Sequence, residues 1–222
     1  MEYAAILLAA GYSHRFGSDK RLADIDGEPM LLATLAGIRA ALDTLGPGPA
    51  EPGRLQVVVR SRDGLVGRLL AGQGGELVRA PAWPVGIGAS ISAAAAKLAS
   101  LDEPPRALAI CPADMPFVRP ESLCELLRHC AADKICAPVF AGQRGKPVVF
   151  GRCFLGQLAQ LRARKDWERV IRANPAALCD VPVDDIGVTL DVDCPADFHR
   201  AKRRGPGDRR PAALHTASHG GP

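Results

Sequence analysis

Residues 3–9 are apolar without a break, and Gly11 then opens a loop that carries Arg15, Gly17 and Lys20. A segment of strand length that is apolar on both faces has to be covered on both. It therefore predicts an interior strand of a parallel sheet flanked by helices. Short strand-like segments at 55–59, apolar but for Gln56, and at 77–78 and 108–111 repeat the pattern. Helical stretches lie between them. In one, Leu31, Leu32, Leu35, Ile38 and Leu42 follow Pro29 at helical spacing; others cover 65–70 and 89–101, and Pro120 and Glu121 open one that reaches about Cys130. Strand, loop and helix in alternation predict an α/β three-layer sandwich with a mostly parallel central sheet.

The second half changes rhythm. Strand-like runs at 135–140 and 147–150 flank 141–146, which reads as a long hairpin loop or as two strands meeting at an edge. Helical segments at 154–161 and 167–173 precede a short strand at 179–181, and 189–193 leads to Pro195 and a last helix. The stretch from 140 to 190 reads as a small excursion from the sheet, so residues 1–200 are expected to form one domain. Residues 201–222 are a Gly/Pro-rich tail, expected to be disordered. The net charge of +4 belongs to that tail: Lys202, Arg203, Arg204, Arg209 and Arg210 stand there against Asp208 alone. A neutral body argues against a nucleic-acid surface, and no specific nucleic-acid partner is expected.

No apolar run approaches the roughly 18 residues of a membrane-spanning helix. The start has no basic stretch, and its apolar run is too short for an export signal, so a cytoplasmic location is expected. The seven cysteines show no C-x-x-C spacing and are expected to be reduced and mostly buried.

The chemistry gathers at three places. The loop 11–20 can offer backbone N–H groups to an anion, with Arg15 and Lys20 to meet phosphate oxygens. Its spacing fits neither the dinucleotide fingerprint nor a Walker loop. Asp114 stands just past a buried strand, where open α/β sheets bind ligands. Asp191 and Asp193 alternate across Val192, so in an extended segment both point to one side. Asp114 with Asp193 or Asp191 would suit Mg²⁺, which binds nucleotides through one or two carboxylates plus phosphate oxygens; Asp193 also suits the cap of a helix starting at Pro195. Trp83 reads equally as a stacking surface for a flat ring or as a packing plug. His14 is expected at the surface, and Cys111 in the core.

The stretch LAAGYSHRFGSDK at 8–20 resembles the signature loop of the MobA-like nucleotidyltransferases, which build molybdenum cofactor dinucleotides or activate sugars and methylerythritol phosphate. CPADMP at 111–116, GQRGKP at 142–147 and DVDCPAD at 191–197 extend the likeness in order along the chain. The resemblance implies a Rossmann-like nucleotidyltransferase fold. It gives the backbone of Ala9, Ala10, Gly11, Tyr12 and Ser13 to base and phosphates, Arg15 and Lys20 to the triphosphate, and Asp114 to Mg²⁺. Arg15, Lys20 and Asp114 thereby become the catalytic candidates. Asp193 and Asp191 are the further metal candidates, Ser90 in the loop 86–91 a nucleotide contact, and Arg144 and Lys146 the acceptor contacts.

Within the superfamily the likeness is greatest to the molybdenum cofactor cytidylyltransferases. It departs from them at Lys146, where histidine is frequent, at Ala113, where glycine precedes the metal aspartate, and at Gly88, where serine is common. The implied reaction moves CMP from CTP to the terminal phosphate of molybdenum-bearing molybdopterin. A recipient molybdoenzyme or its chaperone is the implied protein partner. The alternatives are a transferase using GTP or another phosphate acceptor, and an inactive nucleotide-binding chaperone of molybdoenzyme assembly.

Overall fold

The computed structural model describes residues 2–12, 16–46, 53–83, 86–162, 167–194 and 197. In chain order the strands are β1 (Tyr3–Leu8), β2 (Asp24–Ile25), β3 (Glu28–Pro29), β4 (Arg54–Val59), β5 (Glu76–Arg79), β6 (Ala107–Pro112), β7 (Ile135–Phe140), β8 (Gln143–Arg144), β9 (Val148–Gly151) and β10 (Leu178–Pro182). The α-helices are α1 (Met30–Leu45), α2 (Gly64–Leu69), α3 (Ile87–Ala99), α4 (Pro120–His129), α5 (Leu155–Ala159) and α6 (Glu168–Ala173). The linker expected at 46–49 and the helix after Pro195 lie largely outside the described residues, and the tail 201–222 lies wholly outside them.

One sheet runs in the order β10-β7-β9-β6-β1-β4-β5, with β8 paired to β7. The first strand is interior, as its unbroken apolar run requires: Ile6 faces Gln56 of β4 and Ile110 of β6, both strands parallel to it. β9 runs antiparallel to both β6 and β7, and the short β8 antiparallel to β7. Residues 140–190 are therefore no excursion from the sheet. All four residues of β9 are buried, and so short an apolar segment can satisfy its N–H and C=O groups only between two strands. The hairpin reading of 141–146 is also refined, because Gln143 and Arg144 fold back on β7 as β8.

Alternation along the strands sends side chains to two cores. Tyr3, Ala5 and Leu7 pack with Leu31, Leu35 and Leu42 of α1 and with Leu123, Leu126 and Leu127 of α4. Ala4 and Ile6 pack with Ile91 and Leu98 of α3, Leu158 of α5 and Val170 of α6. The three layers follow from that division. A small hairpin, β2 to β3, precedes α1; Asp26 (φ 57°) and Gly27 (φ 94°) supply the left-handed pair that a tight two-residue turn needs.

All seven cysteines are free. Cys111, Cys124, Cys130 and Cys136 are buried as expected, whereas Cys153 and Cys179 are exposed and Cys194 is half-buried. Burial pushes the Cys111 thiol up to about 12, which keeps it an inert core residue. No helix among the described residues is long and apolar enough to cross a membrane.

A closing segment, the 3₁₀ turn Ile186–Thr189, packs beside the loop that follows β6. A side chain at Gly187 would strike the Phe117 carbonyl, and one at Gly145 would strike that of Val188. Buried Asp185 locks the turn to the start of α4, accepting from the Arg119 N–H (2.9 Å), the Ser122 hydroxyl (2.8 Å) and the Gly187 N–H (2.9 Å).

Candidate functional site

A cleft of about 410 Å³ opens over the carboxyl ends of the parallel strands. Its walls are the residues that directly follow those strands: Leu8 to Tyr12 after β1, Arg60 and Ser61 after β4, Ala80 to Ala82 after β5, and Pro112 to Asp114 at and after β6. This is where parallel sheets collect loops and leave a crevice, and the volume lies in the range of small-molecule sites. Lys20, Ser90 from the first turn of α3, and Trp167 complete it.

Two arginines hold the loop after β1 in place. Arg21, 3% exposed, donates to the Ala9 carbonyl (2.7 Å) and to both oxygens of Asp63 (2.5 and 3.2 Å), and it also pairs with Asp19. Burial opposes its charge, but the hydrogen bonds to Asp19 and Asp63 prevail and raise its pKa. In return, the hydrogen bond from Arg21 holds the Asp19 carboxyl below its usual range. Arg60 donates to the Gly11 carbonyl at 2.5 Å and to Asp19 at 3.3 Å, and its guanidinium carbon lies 4.4 Å from the centre of the Tyr12 ring. Its buried Nε–H has no hydrogen-bond partner among the described residues.

At the opposite end of the cleft three charged groups converge. The Lys20 ammonium donates to Asp114 Oδ2 at 2.6 Å, to Asp193 Oδ1 at 2.9 Å and to the Val192 carbonyl at 3.3 Å. The Val192 N–H in turn donates to the Asp114 carbonyl at 2.9 Å, which ties the segment 192–193 to the β6 loop. Burial disfavours the Lys20 charge, yet the Asp114 carboxylate, aided by hydrogen bonds to Asp114 and Asp193, lifts its pKa above the ordinary lysine value. Asp197 accepts from the N–H groups of Asp193 and Cys194 (3.0 and 2.8 Å).

The sequence candidates fall into distinct groups. Ala9, Ala10, Gly11, Tyr12, Lys20, Ser90 and Asp114 line the cleft. Asp193 reaches the same point through Lys20, whereas Asp191 pairs with Lys146 at 2.7 Å instead. Arg144 forms a two-pronged pair with Asp180 (2.7 and 2.8 Å), and neither Arg144 nor Lys146 lines the cleft. Ser13, His14 and Arg15 lie outside the described residues. Trp83 is 85% exposed and so is no packing plug, and it does not line the cleft. Sequence reasoning passed over Arg21, Arg60, Asp63 and Trp167. The Asp19-Lys20-Arg21 run and the Arg60 to Asp63 stretch beyond β4 were visible as charges, but no spacing rule marks them as partners.

The residues at the charged end suit a divalent cation. Two carboxylates from different loops approach one point, and Asp114 Oδ1 is buried without a hydrogen-bond partner among the described residues. Oxygen donors of this kind suit Mg²⁺ or Mn²⁺, and two are enough where phosphate oxygens and water fill the other positions. No group of three or more His, Cys, Asp or Glu placed to hold a metal ion occurs among the described residues.

Residues 5–178 match the MobA-like NTP transferase domain. Over 56 residues the chain is 41% identical to proteins of Synechococcus elongatus and of a further Synechococcus strain, each named a probable molybdenum cofactor guanylyltransferase; the match spans 25% of this chain and 29% of theirs. The fold superposes on Rv0371c of Mycobacterium tuberculosis H37Rv with a TM-score of 0.74 and 25% identity, covering 91% of this chain and 99% of that one. A nucleotidyl transferase of Methanothermobacter thermautotroptrophicus superposes with a TM-score of 0.73 at 18% identity, covering 91% and 97%. The Rossmann-like nucleotidyltransferase fold, with a mixed and mostly parallel sheet, is thereby established.

The expected transfer of CMP from CTP is overturned, because these curated relatives are named for guanylyl transfer. There is a physical reason for the error. The GQRGKP stretch at 142–147, which carries part of the likeness, does not line the cleft, whereas Arg60 and Ser61 do.

Proposed function

The chain belongs to the MobA-like NTP transferase family, and from that premise we propose that it transfers GMP from GTP to a phosphate-bearing pterin of molybdenum cofactor synthesis, releasing pyrophosphate. The observation that carries this reading is the convergence of Lys20, Asp114 and Asp193 at one end of a cleft whose other end holds Arg60 and Tyr12. Asp114 and Arg60 follow strands two places apart in the sheet, a separation of roughly 10 Å by strand spacing. That separation allows a base at Arg60 and the α-phosphate beside Asp114.

In the proposed reaction an acceptor phosphate oxygen attacks the α-phosphorus, a new P–O bond forms, and the bond to the departing pyrophosphate breaks with its electron pair. Two anions must meet, so positioning and charge compensation carry the catalysis. Lys20 neutralises charge that grows on the phosphoryl oxygens. The N–H groups of residues 10–12 and Ser90 hold the nucleotide, joined in this proposal by Ser13 and Arg15; the Ala9 N–H is already bonded to the Val58 carbonyl (2.8 Å). Asp114 and Asp193 would hold a divalent cation, which would supply Lewis-acid polarisation of the phosphate. A phosphate monoester, with its second pKa near ~6, is already ionised at neutral pH, so no general base is required.

Arg60 lines the cleft beside Tyr12, and its guanidinium is the proposed contact to the base, whose guanine form carries the acceptors O6 and N7. Lys146, beside Asp191 at the same rim, is the proposed acceptor contact; Arg144 is committed to Asp180. The test is pyrophosphate release with Mg²⁺, the pterin acceptor and each of the four nucleoside triphosphates. Turnover with GTP in preference to the others is expected. Turnover with sugar phosphates and none with the pterin would sink the reading.

A further inference from the structure

The cluster at the end of β6 raises a question of occupancy. The Lys20 ammonium sits within hydrogen-bond reach of one oxygen of Asp114 and one of Asp193, the two groups that would hold a divalent cation. An ammonium and a dication cannot share so small a space, since each positive charge raises the energy of the other steeply at a few ångströms. The lysine also leaves the job unfinished, because Asp114 Oδ1 remains buried with no hydrogen-bond partner among the described residues. A compact charge on a flexible four-carbon stem can leave such a position, unlike a guanidinium fixed on both sides as Arg21 is. Lys20 further lines the cleft, so phosphate oxygens placed there would offer its ammonium an alternative anion.

We propose that Lys20 is an internal stand-in cation: in the empty cleft it neutralises Asp114 and Asp193 and holds the β6 loop to the segment 192–193, and it moves to the nucleotide phosphates when a divalent cation takes the carboxylates. The inference rests on reading the cleft as a nucleotidyl-transfer site. The consequence runs against ordinary expectation for a catalytic lysine. Removing Lys20 abolishes turnover yet strengthens metal binding when no nucleotide is present.

The experiment is a titration of the nucleotide-free protein with Mn²⁺, read as loss of the free-ion electron paramagnetic resonance signal. Lys20→Met is expected to lower the Mn²⁺ dissociation constant about tenfold or more, since a unit charge beside the ligands no longer opposes the ion. Adding Asp114→Asn to that variant is expected to cancel the gain. In EDTA the Lys20→Met protein should melt below the parent, because two carboxylates then face each other uncompensated, and Mn²⁺ should recover its melting temperature more than it raises the parent's. If Lys20→Met does not fold, Lys20→Gln is titrated in its place. A dissociation constant equal to or weaker than the parent's in the folded variant overturns the proposal. The readout uses no nucleotide and no acceptor. Absent GTP turnover with tightened Mn²⁺ binding would therefore remove the functional reading and leave standing only the competition of Lys20 with the cation, and the converse result would do the opposite.

Discussion

The two halves of the sheet use the same pairs of charges to different ends. On the parallel half, β6-β1-β4-β5, Lys20 meets Asp114 with side chains only 18% and 23% exposed. On the other half, β10-β7-β9, where β9 alone of the three runs backwards, Arg144 meets Asp180 with side chains 50% and 48% exposed. The geometry of the second pair is the better formed, with two parallel hydrogen bonds. Water decides what each is worth. An exposed pair contributes about 0–1 kcal/mol, whereas a sheltered charge must be matched or costs several times that. The cleft follows shelter here: Lys20 and Asp114 lie where water is scarce, and no strand of the half around β9 contributes a wall to it.

The largest effect that would sharpen this contrast lies at Arg21. Replacing it with Met leaves Asp19 and Asp63 without their cation, and the protein should lose about 3–5 kcal/mol in urea unfolding. A loss below 1 kcal/mol would break the contrast. Next is Asp114→Ala, expected to cut turnover by about 10²–10³-fold while the circular dichroism spectrum stays unchanged, since Asp114 lies in a loop and fills no core volume. Pyrophosphate release near the parent rate would refute its role.

Arg60→Ala should raise the KM for GTP by about 10- to 100-fold, the usual worth of a base contact of about 1–3 kcal/mol, with a smaller change in kcat. An unchanged KM would move the base away from β4. Acid titration gives a finer distinction. The folded pKa of Asp19 lies below its ordinary 3.8, so its contribution is present above that value and is lost as pH falls through the folded pKa. Asp19→Asn should therefore flatten the acid limb of stability below about pH 4. The smallest change is expected from Arg144→Ala, within about 1 kcal/mol in stability and near-normal kcat; a large rise in the acceptor KM would return Arg144 to the site.

The parallel half was largely legible in the sequence. Apolar runs at β1 and β6, the run in β4 interrupted only by Gln56, and the leucine spacing of α1 announce buried strands and an amphipathic helix, because burial on both faces leaves no regular polar alternation. Lys20 and Asp114 were legible through their motifs. The place of β9 was not, since four apolar residues do not say which neighbours they pair with or in which direction. Nor was the split of Asp191 from Asp193. The two alternate as expected, but their partners Lys146 and Lys20 come from distant loops, and the chain is not a strand there. Arg21 and Arg60 escaped for the same reason. Their role is to accept the shape of a loop through its carbonyl oxygens, and backbone oxygens leave no mark in a sequence.

The reversal of β9 also bears on when the protein can begin to work during its synthesis. Because β9 runs against both neighbours, β6 and β7 point the same way, and the turn between β8 and β9 is brought back to the rim where the β6 loop already lies. The closing turn then docks on that rim through Lys146 N–H to the Val188 carbonyl (2.8 Å) and Val192 N–H to the Asp114 carbonyl (2.9 Å). Lys20 is therefore joined to Asp193 across 173 positions of chain. Contacts of such separation form late, after the loop between them has closed. A growing chain that has just passed β6 owns the lysine, the first aspartate and much of the cleft wall but not the second carboxylate, so the pairing around Lys20 stays incomplete until Asp193 has left the ribosome.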